Sequence, residues 1–148
     1  MSFQILTRGQ LERTLSQNIQ ALYRNLLGHQ TGKVTCQLVD EKLTIVIENS
    51  ATQPEKLLAN EGQVSLAEQL CTCLNSAIRP QIKLLIEQVL SVNVLDLLGE
   101  ATLVTDRTGL IAILDAIPKM RISAESQRMP KQKLSQSEPS SEPSHELT

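Results

Sequence analysis

The chain has 148 residues, the usual size of one domain, and 41% of them are hydrophobic, which is enough to bury a core. Only 1% are aromatic and the formal net charge is −2, so neither the base-stacking platforms nor the positive field that nucleic acids need is expected. No apolar run approaches the roughly 20 residues that span a bilayer, and no signal-peptide pattern opens the chain. A cytoplasmic protein with no membrane insertion is therefore expected.

The first predicted element is an amphipathic helix from about Arg8 to Leu27. Its apolar residues recur at helical spacing with polar residues between them, and they are Leu11, Leu15, Ile19, Leu22 and Leu26. Gly28 follows the last turn, where glycine commonly ends a helix.

An antiparallel hairpin is predicted next. Val34 to Val39 forms the first strand, and Asp40-Glu41-Lys42 turns the chain. Apolar and polar residues then alternate from Leu43 to Glu48, which indicates a strand with one buried face.

Two helices and a second strand pair complete the pattern. A short helix is predicted to begin at Thr52-Gln53-Pro54-Glu55, because proline is tolerated in a first helical turn. Gly62 is expected to end it. A long apolar helix follows from about Val64 to Leu90, and Pro80 inside it predicts either a kink or two abutting helices. Val92 to Asp115 then alternates again, with breaks expected at Gly99-Glu100 and at Asp106-Arg107-Thr108-Gly109.

These elements predict an α+β fold. We expect an antiparallel sheet of about four strands from two hairpins, packed on one side by the N-terminal helix and the long Pro-kinked helix. Residues 1–117 would form the single domain, and residues 118–148 would form a disordered polar tail that is poor in apolar residues. A tether or a partner-docking segment is the alternative role for this tail.

Three cysteines, Cys36, Cys71 and Cys73, are an odd number and favour free thiols in a reducing compartment. Cys71 and Cys73 lie two apart on the long helix, so we expect them to point to different faces. Inert thiols are the favoured interpretation, and redox or metal chemistry is the alternative.

The other polar residues do not form a recognisable catalytic set. Asp40 and Glu41 are adjacent carboxylates in a hairpin turn, where solvated charge is usual and general acid–base chemistry would need a shielded pocket. His29 and His145 belong to a turn and to the tail, so no serine has a plausible base. The chain is therefore predicted not to be an enzyme and to hold no cofactor and no metal.

Arg79 is the single candidate binding residue. It precedes the helix-interrupting Pro80, and a guanidinium group there could hold a carboxylate in a bidentate fork. An ordinary surface arginine is the alternative.

The ordered set of segments resembles the small proteins grouped as domain of unknown function 2294. The resemblance covers about residues 8–114, and no single motif in it is diagnostic. Its segments are Gly9-Gln10-Leu11, Gln53-Pro54-Glu55-Lys56-Leu57-Leu58-Ala59, Ala77-Ile78-Arg79-Pro80, Ile86-Glu87-Gln88-Val89-Leu90 and Asp106-Arg107-Thr108-Gly109. Gly28-His29-Gln30-Thr31 departs from the Gly-Arg-Gly-Pro usual in the family, which puts an anion-binding role for this turn in doubt.

The resemblance implies two non-enzymatic functions. One is a chaperone or assembly adaptor that binds a protein partner, such as a carboxysome shell protein in a cyanobacterial branch of the family. The other is a soluble accessory subunit of a sodium- or bicarbonate-linked membrane transport system. Apolar faces rich in leucine suit a protein partner in either case, and a homodimer would satisfy the same composition.

Overall fold

The computed structural model describes residues 5–122. The elements in chain order are α1 (Arg8–Leu27), β1 (Val34–Val39), β2 (Lys42–Glu48), α2 (Gln53–Asn60), α3 (Val64–Leu90), β3 (Val94–Thr102) and β4 (Arg107–Leu114). The predicted order is confirmed. Of the predicted disordered tail, residues 118–148, the part from residue 123 onward lies outside the described residues.

The four strands form one antiparallel sheet in the order β1-β2-β4-β3. Alternate residues of β1, β2 and β4 are buried, and the core they enter is shared with residues of α1 and α3. The predicted α+β class is thus confirmed. Helices cover one face of the sheet because each strand has only one apolar face that must leave water.

Local sequence signals fix the ends of α1. The Thr7 hydroxyl accepts the N–H of Gln10, and the Gln10 side chain accepts the N–H of Thr7, which makes a reciprocal capping box. Gly28 ends the helix in the left-handed conformation with φ of 61°, and its N–H donates to the Arg24 carbonyl at 3.0 Å. Glycine adopts this conformation without a steric penalty from a Cβ atom.

Pro80 does not divide α3, which is a single helix of 27 residues. The alternative of two abutting helices is therefore wrong. Ile78, Ile82 and Ile86 are buried on both sides of the proline. Their packing holds the helix axis where one backbone hydrogen bond is missing.

The last hairpin differs from its prediction in two places. β3 continues through Gly99, which was expected to break it, and Gly99 has φ of 147°. A Cβ atom on Gly99 would lie 2.0 Å from the Gly109 carbonyl oxygen, so glycine permits the close approach of β3 to β4. Gly109, expected in the turn, pairs with Val46 inside the sheet. Asp106, with φ of 58°, supplies the left-handed conformation just before β4.

Contacts with the domain continue past residue 117. Pro118 is buried, Met120 packs against the core, and the Arg121 N–H donates to the Leu6 carbonyl at 2.9 Å. Residues 118–122 therefore lie beside the N-terminal end of α1.

Candidate protein-interaction site

A polar cleft of about 300 Å³ separates α3 from β3, an outer strand of the sheet. Successive turns of α3 line it through Thr72, Asn75, Ser76 and Arg79, and β3 lines it through the consecutive residues Gly99, Glu100 and Ala101. Gly99 and Ala101 contribute little side-chain volume to it. Arg79, the predicted binding residue, meets the outer strand β3 at this cleft.

Arg79 is half-buried at this cleft and reaches across to the backbone of β3. Its guanidinium donates to the Leu97 carbonyl at 3.3 Å and also to the Gly99 carbonyl. These two residues are alternate positions, so their carbonyls point to the same side of the strand, away from β4. Carboxylate binding by Arg79 stays a prediction. In the structure its guanidinium group is hydrogen-bonded to the two backbone carbonyls.

The opposite sheet edge has a matching arrangement. Glu12 of α1 accepts the N–H of Leu38 on β1 at 2.7 Å, and Gln20 donates to the Gly32 carbonyl just before β1 at 3.0 Å. A helix side chain thus bonds to the open backbone of each outer strand. Such contacts limit uncontrolled pairing of exposed strand edges.

A buried polar cluster lies behind the cleft. Glu55 is only 3% exposed, and its Oε1 accepts both the N–H and the hydroxyl of Thr52, at 2.9 and 2.8 Å. The Thr108 hydroxyl donates to Ser50 Oγ at 2.8 Å. These bonds hold the start of α2 against the sheet.

Tyr23 and Cys71 complete this cluster, and burial makes both harder to ionise. Burial raises the pKa of Tyr23 to about 12. Burial, followed by the hydrogen bond and charge of Glu55, raises the pKa of Cys71 to about 11. The Cys71 thiol is therefore protonated at neutral pH and is a poor nucleophile.

The spacing of Cys71 and Cys73 correctly predicted that they point to different faces of α3. Cys71 is buried and Cys73 is exposed, so the two point to different faces of α3. Cys36 is buried in the core, and burial raises the pKa of its thiol. The expectation of inert thiols stays a prediction that reactivity measurements can check.

The other candidate catalytic residues lie apart. Asp40 and Glu41 are exposed at the β1–β2 turn, whereas His29 is buried, with its Nε2 2.8 Å from the Asn49 carbonyl oxygen. Within residues 5–122, no three histidine, cysteine or acidic side chains are arranged to hold a metal ion.

Asp106 has a larger role than its turn composition indicated. Its carboxylate accepts the Ala51 N–H at 2.8 Å and lies 3.2 Å from the Lys56 ammonium group. It therefore links the β3–β4 turn to the start of α2. Sequence analysis missed this link because the partners are about 50 residues apart in the chain.

The sheet face opposite the helices carries an exposed apolar group. It consists of Leu98 directly opposite Ile111, with Ile113 two positions along β4 and Val46 diagonal to Ile111 on β2; Val46 and Ile113 are half-buried. Leu98 is 54% exposed and Ile111 is 44% exposed. We call these four residues the open-face patch, and none of the helices described in residues 5–122 covers it.

A family model described as "Na+-translocating membrane potential-generating system (MpsC)" matches residues 7–116. That range includes all seven helices and strands that the structure describes in residues 5–122. The chain belongs to the MpsC family. Comparisons with curated proteins and with solved structures give no significant match.

Membership of the MpsC family confirms the resemblance found in the sequence. It does not support the carboxysome branch. None of the helices that the structure describes in this MpsC-family chain combines the length and apolar character needed to cross a bilayer.

Proposed function

We propose that this MpsC-family protein is a non-enzymatic accessory subunit that binds a protein component of a sodium-translocating membrane system. The observation that carries the proposal is the family match over residues 7–116. It favours the accessory role over the chaperone or assembly adaptor, because the family description refers to a membrane potential-generating system.

The open-face patch supports a binding role. Leu98, Ile111 and Ile113 come from adjacent strands and form one apolar surface instead of scattered exposed residues. Contiguous apolar surface that stays in contact with water commonly marks an interaction site. Lys42 and Asp96 flank Ile113 in the register, so the patch has a polar border as protein interfaces do.

The internal bonds of the polar residues support a non-enzymatic role. Glu55, Asp106 and Arg79 all have partners within the fold. The Cys71 thiol is held in its weakly nucleophilic form by its raised pKa. Catalysis needs such groups to be directed at a substrate.

The test is affinity capture of the tagged full-length protein with solubilised membranes of its source cells. We compare Ile111→Asp, in the centre of the open-face patch, with Val64→Asp, an apolar position at the start of α3 that is slightly more exposed, 52% against 44%. We expect wild type and Val64→Asp to retain membrane subunits of the transport system and Ile111→Asp to lose them. Equal melting temperatures would show that both variants are folded.

Three results would overturn the proposal. One is equal capture of membrane subunits by both variants, which would show that the open-face patch is not the binding surface. Another is recovery of the protein alone as a stable dimer, which would assign the patch to self-association. The last is turnover of a metabolite by the purified protein.

A further inference from the structure

β3 is an outer strand of the sheet, and Arg79 holds two carbonyls of its outer edge. Among residues 5–122 it pairs with β4 alone. The carbonyls of Leu97 and Gly99 point away from β4 toward Arg79, and their N–H groups share that direction because both groups of a strand residue lie on the same side. An extended chain beside β3 would find donors and acceptors already aligned.

The side chains along this edge have a definite pattern. Asp96, Leu98 and Glu100 are exposed and occupy alternate positions on the face opposite the helices. Gly99 and Ala101 occupy the face toward α3 and border the polar cleft. An added strand would therefore lie beside Asp96, Leu98 and Glu100 on one face of the sheet and beside the α3–β3 cleft on the other.

We propose that the β3 edge accepts an extended segment of a partner protein as a fifth strand. The segment carries a basic, an apolar and a basic side chain at alternate positions, opposite Asp96, Leu98 and Glu100. Its intervening side chains enter the α3–β3 cleft. Main-chain hydrogen bonds supply affinity in this mode, and alternate side chains supply specificity. The inference deepens the proposed function and rests on it for a protein partner.

Charge argues against a second copy of this chain as the occupant. Antiparallel pairing of two β3 strands about Leu98 would place Asp96 of one copy opposite Glu100 of the other. Like charges at directly opposed positions destabilise strand pairing. Basic residues at the same positions in a partner would be attracted by both carboxylates.

Arg79 acts as a gate in this arrangement. Its guanidinium holds the carbonyls of Leu97 and Gly99, which the incoming strand needs as acceptors. The partner must displace Arg79 before it can pair. Removal of the Arg79 side chain should therefore strengthen binding, whereas a carboxylate-binding arginine would make the same removal weaken it.

The probe is the synthetic peptide Thr-Lys-Thr-Val-Thr-Lys-Thr with blocked ends, titrated into the isotope-labelled full-length protein. We expect amide signals of Leu97, Gly99 and Ala101 to shift on binding. Two matched peptides serve as controls. One has glutamate in place of both lysines, and the other keeps every side chain but has N-methyl groups on the edge-facing amides.

The lysine peptide should bind at least about threefold more tightly than the glutamate peptide, as expected for two exposed charge pairs. Binding of the N-methyl peptide should be lost because it cannot donate to β3. In the double variant Asp96→Lys/Glu100→Lys the preference should reverse toward the glutamate peptide. Arg79→Ala should bind the lysine peptide about three- to tenfold more tightly than wild type, the effect of freeing one or two acceptors.

Arg79→Lys, with a shorter reach and the same charge, repeats the gate test if Arg79→Ala fails to fold. Weaker binding by either variant would make Arg79 a binding residue and overturn the gate. Equal binding of the N-methyl peptide, no peptide binding at all, or dimerisation of Arg79→Ala without peptide binding would overturn the strand addition. If strand addition is wrong, capture of membrane subunits would still depend on Ile111. Failure of the strand addition can therefore be distinguished from failure of the proposed function.

Discussion

Tyr23 is 2% exposed, and its phenolic oxygen has no hydrogen-bond partner among the described residues. The Thr108 hydroxyl lies near it and opposes the rise in the Tyr23 pKa, but the two hydroxyls do not meet in hydrogen-bond geometry. Burying an unpaired hydroxyl carries a desolvation penalty of about 1–3 kcal/mol.

We predict that Tyr23→Phe is at least as stable as wild type at neutral pH, because it removes the unpaired hydroxyl and keeps the ring. The difference should grow at alkaline pH. The folded-state pKa is raised to about 12, so the contribution of the neutral phenol is fully present below the unfolded-state value of about 10 and is lost as pH rises toward 12. At about pH 11, wild type should have lost roughly 1.4 kcal/mol relative to the variant.

Urea unfolding of both proteins at about pH 8 and about pH 11 checks this prediction, and the comparison cancels the titration of other groups. Tyr23→Leu is the control, since it also lacks the hydroxyl but loses ring packing and should be less stable. A Tyr23→Phe variant that is less stable than wild type at neutral pH would show that the hydroxyl has a stabilising partner.

Only some of the important residues could be recognised from sequence. The opposite faces of Cys71 and Cys73 followed from helical spacing, a local property. Glu55 and Asp106 could not be assigned their contacts, because their partners are set by how α2 meets the sheet. Arg79 was singled out for its neighbour Pro80, yet its partners on β3 are distant in sequence.

At the level of the elements, Gly99 controls how closely β3 approaches β4. Its φ of 147° and the 2.0 Å from its virtual Cβ to the Gly109 oxygen both exclude a side chain. Gly109, which pairs with Glu100 of β3, would have no atom within 4 Å of an added Cβ. In this hairpin, Gly109 therefore has room for a Cβ atom and Gly99 does not.

We predict that Gly99→Ala destabilises the domain by about 3 kcal/mol or more, because backbone strain and overpacking add at this position. Gly109→Ala should be neutral or should stabilise by up to about 1 kcal/mol, since alanine is less flexible than glycine in the unfolded chain. Urea unfolding midpoints of the two variants give the comparison. Equal stability of both would mean that β3 can shift away from β4 at little cost.

Element boundaries were predictable where the signal is local. The limits of α1, β1 and α3 follow from apolar period, glycine stops and turn residues. The continuation of β3 through Gly99 was not predictable, because glycine usually weakens a strand and this outer strand has few buried residues. Its pairing with β4 decides that the chain stays extended through Gly99.

For the whole molecule, the described contacts extend beyond the predicted domain end. Pro118 and Met120 pack on the domain, and Arg121 bonds to Leu6. Residues 123–148 contain few apolar side chains and can contribute little buried area by composition.

We predict that deletion of residues 123–148 leaves the melting temperature within about 2 °C of the full-length value, because buried apolar area dominates stability. Deletion of residues 118–148 is the matched control and should lower it by about 4 °C or more, since roughly 1 kcal/mol of packing is removed. Calorimetry on the three lengths gives the answer.

A large loss of stability in the shorter deletion would assign the last segment a structural role. Loss of partner capture without loss of stability would instead assign it a docking role, which was the alternative interpretation of the tail.

The sequence by itself determined the order of elements, the α+β class and the family, because period, turn residues and caps act over a few neighbouring positions. Tertiary structure alone decided which strands lie outside, which sheet face stays open, and where Arg79, Glu55 and Asp106 find their partners. Those features depend on contacts between residues far apart in the chain, whose pairing is fixed only when the sheet and helices pack together. The open-face patch and the β3 edge, on which the proposed interactions depend, belong to this second group.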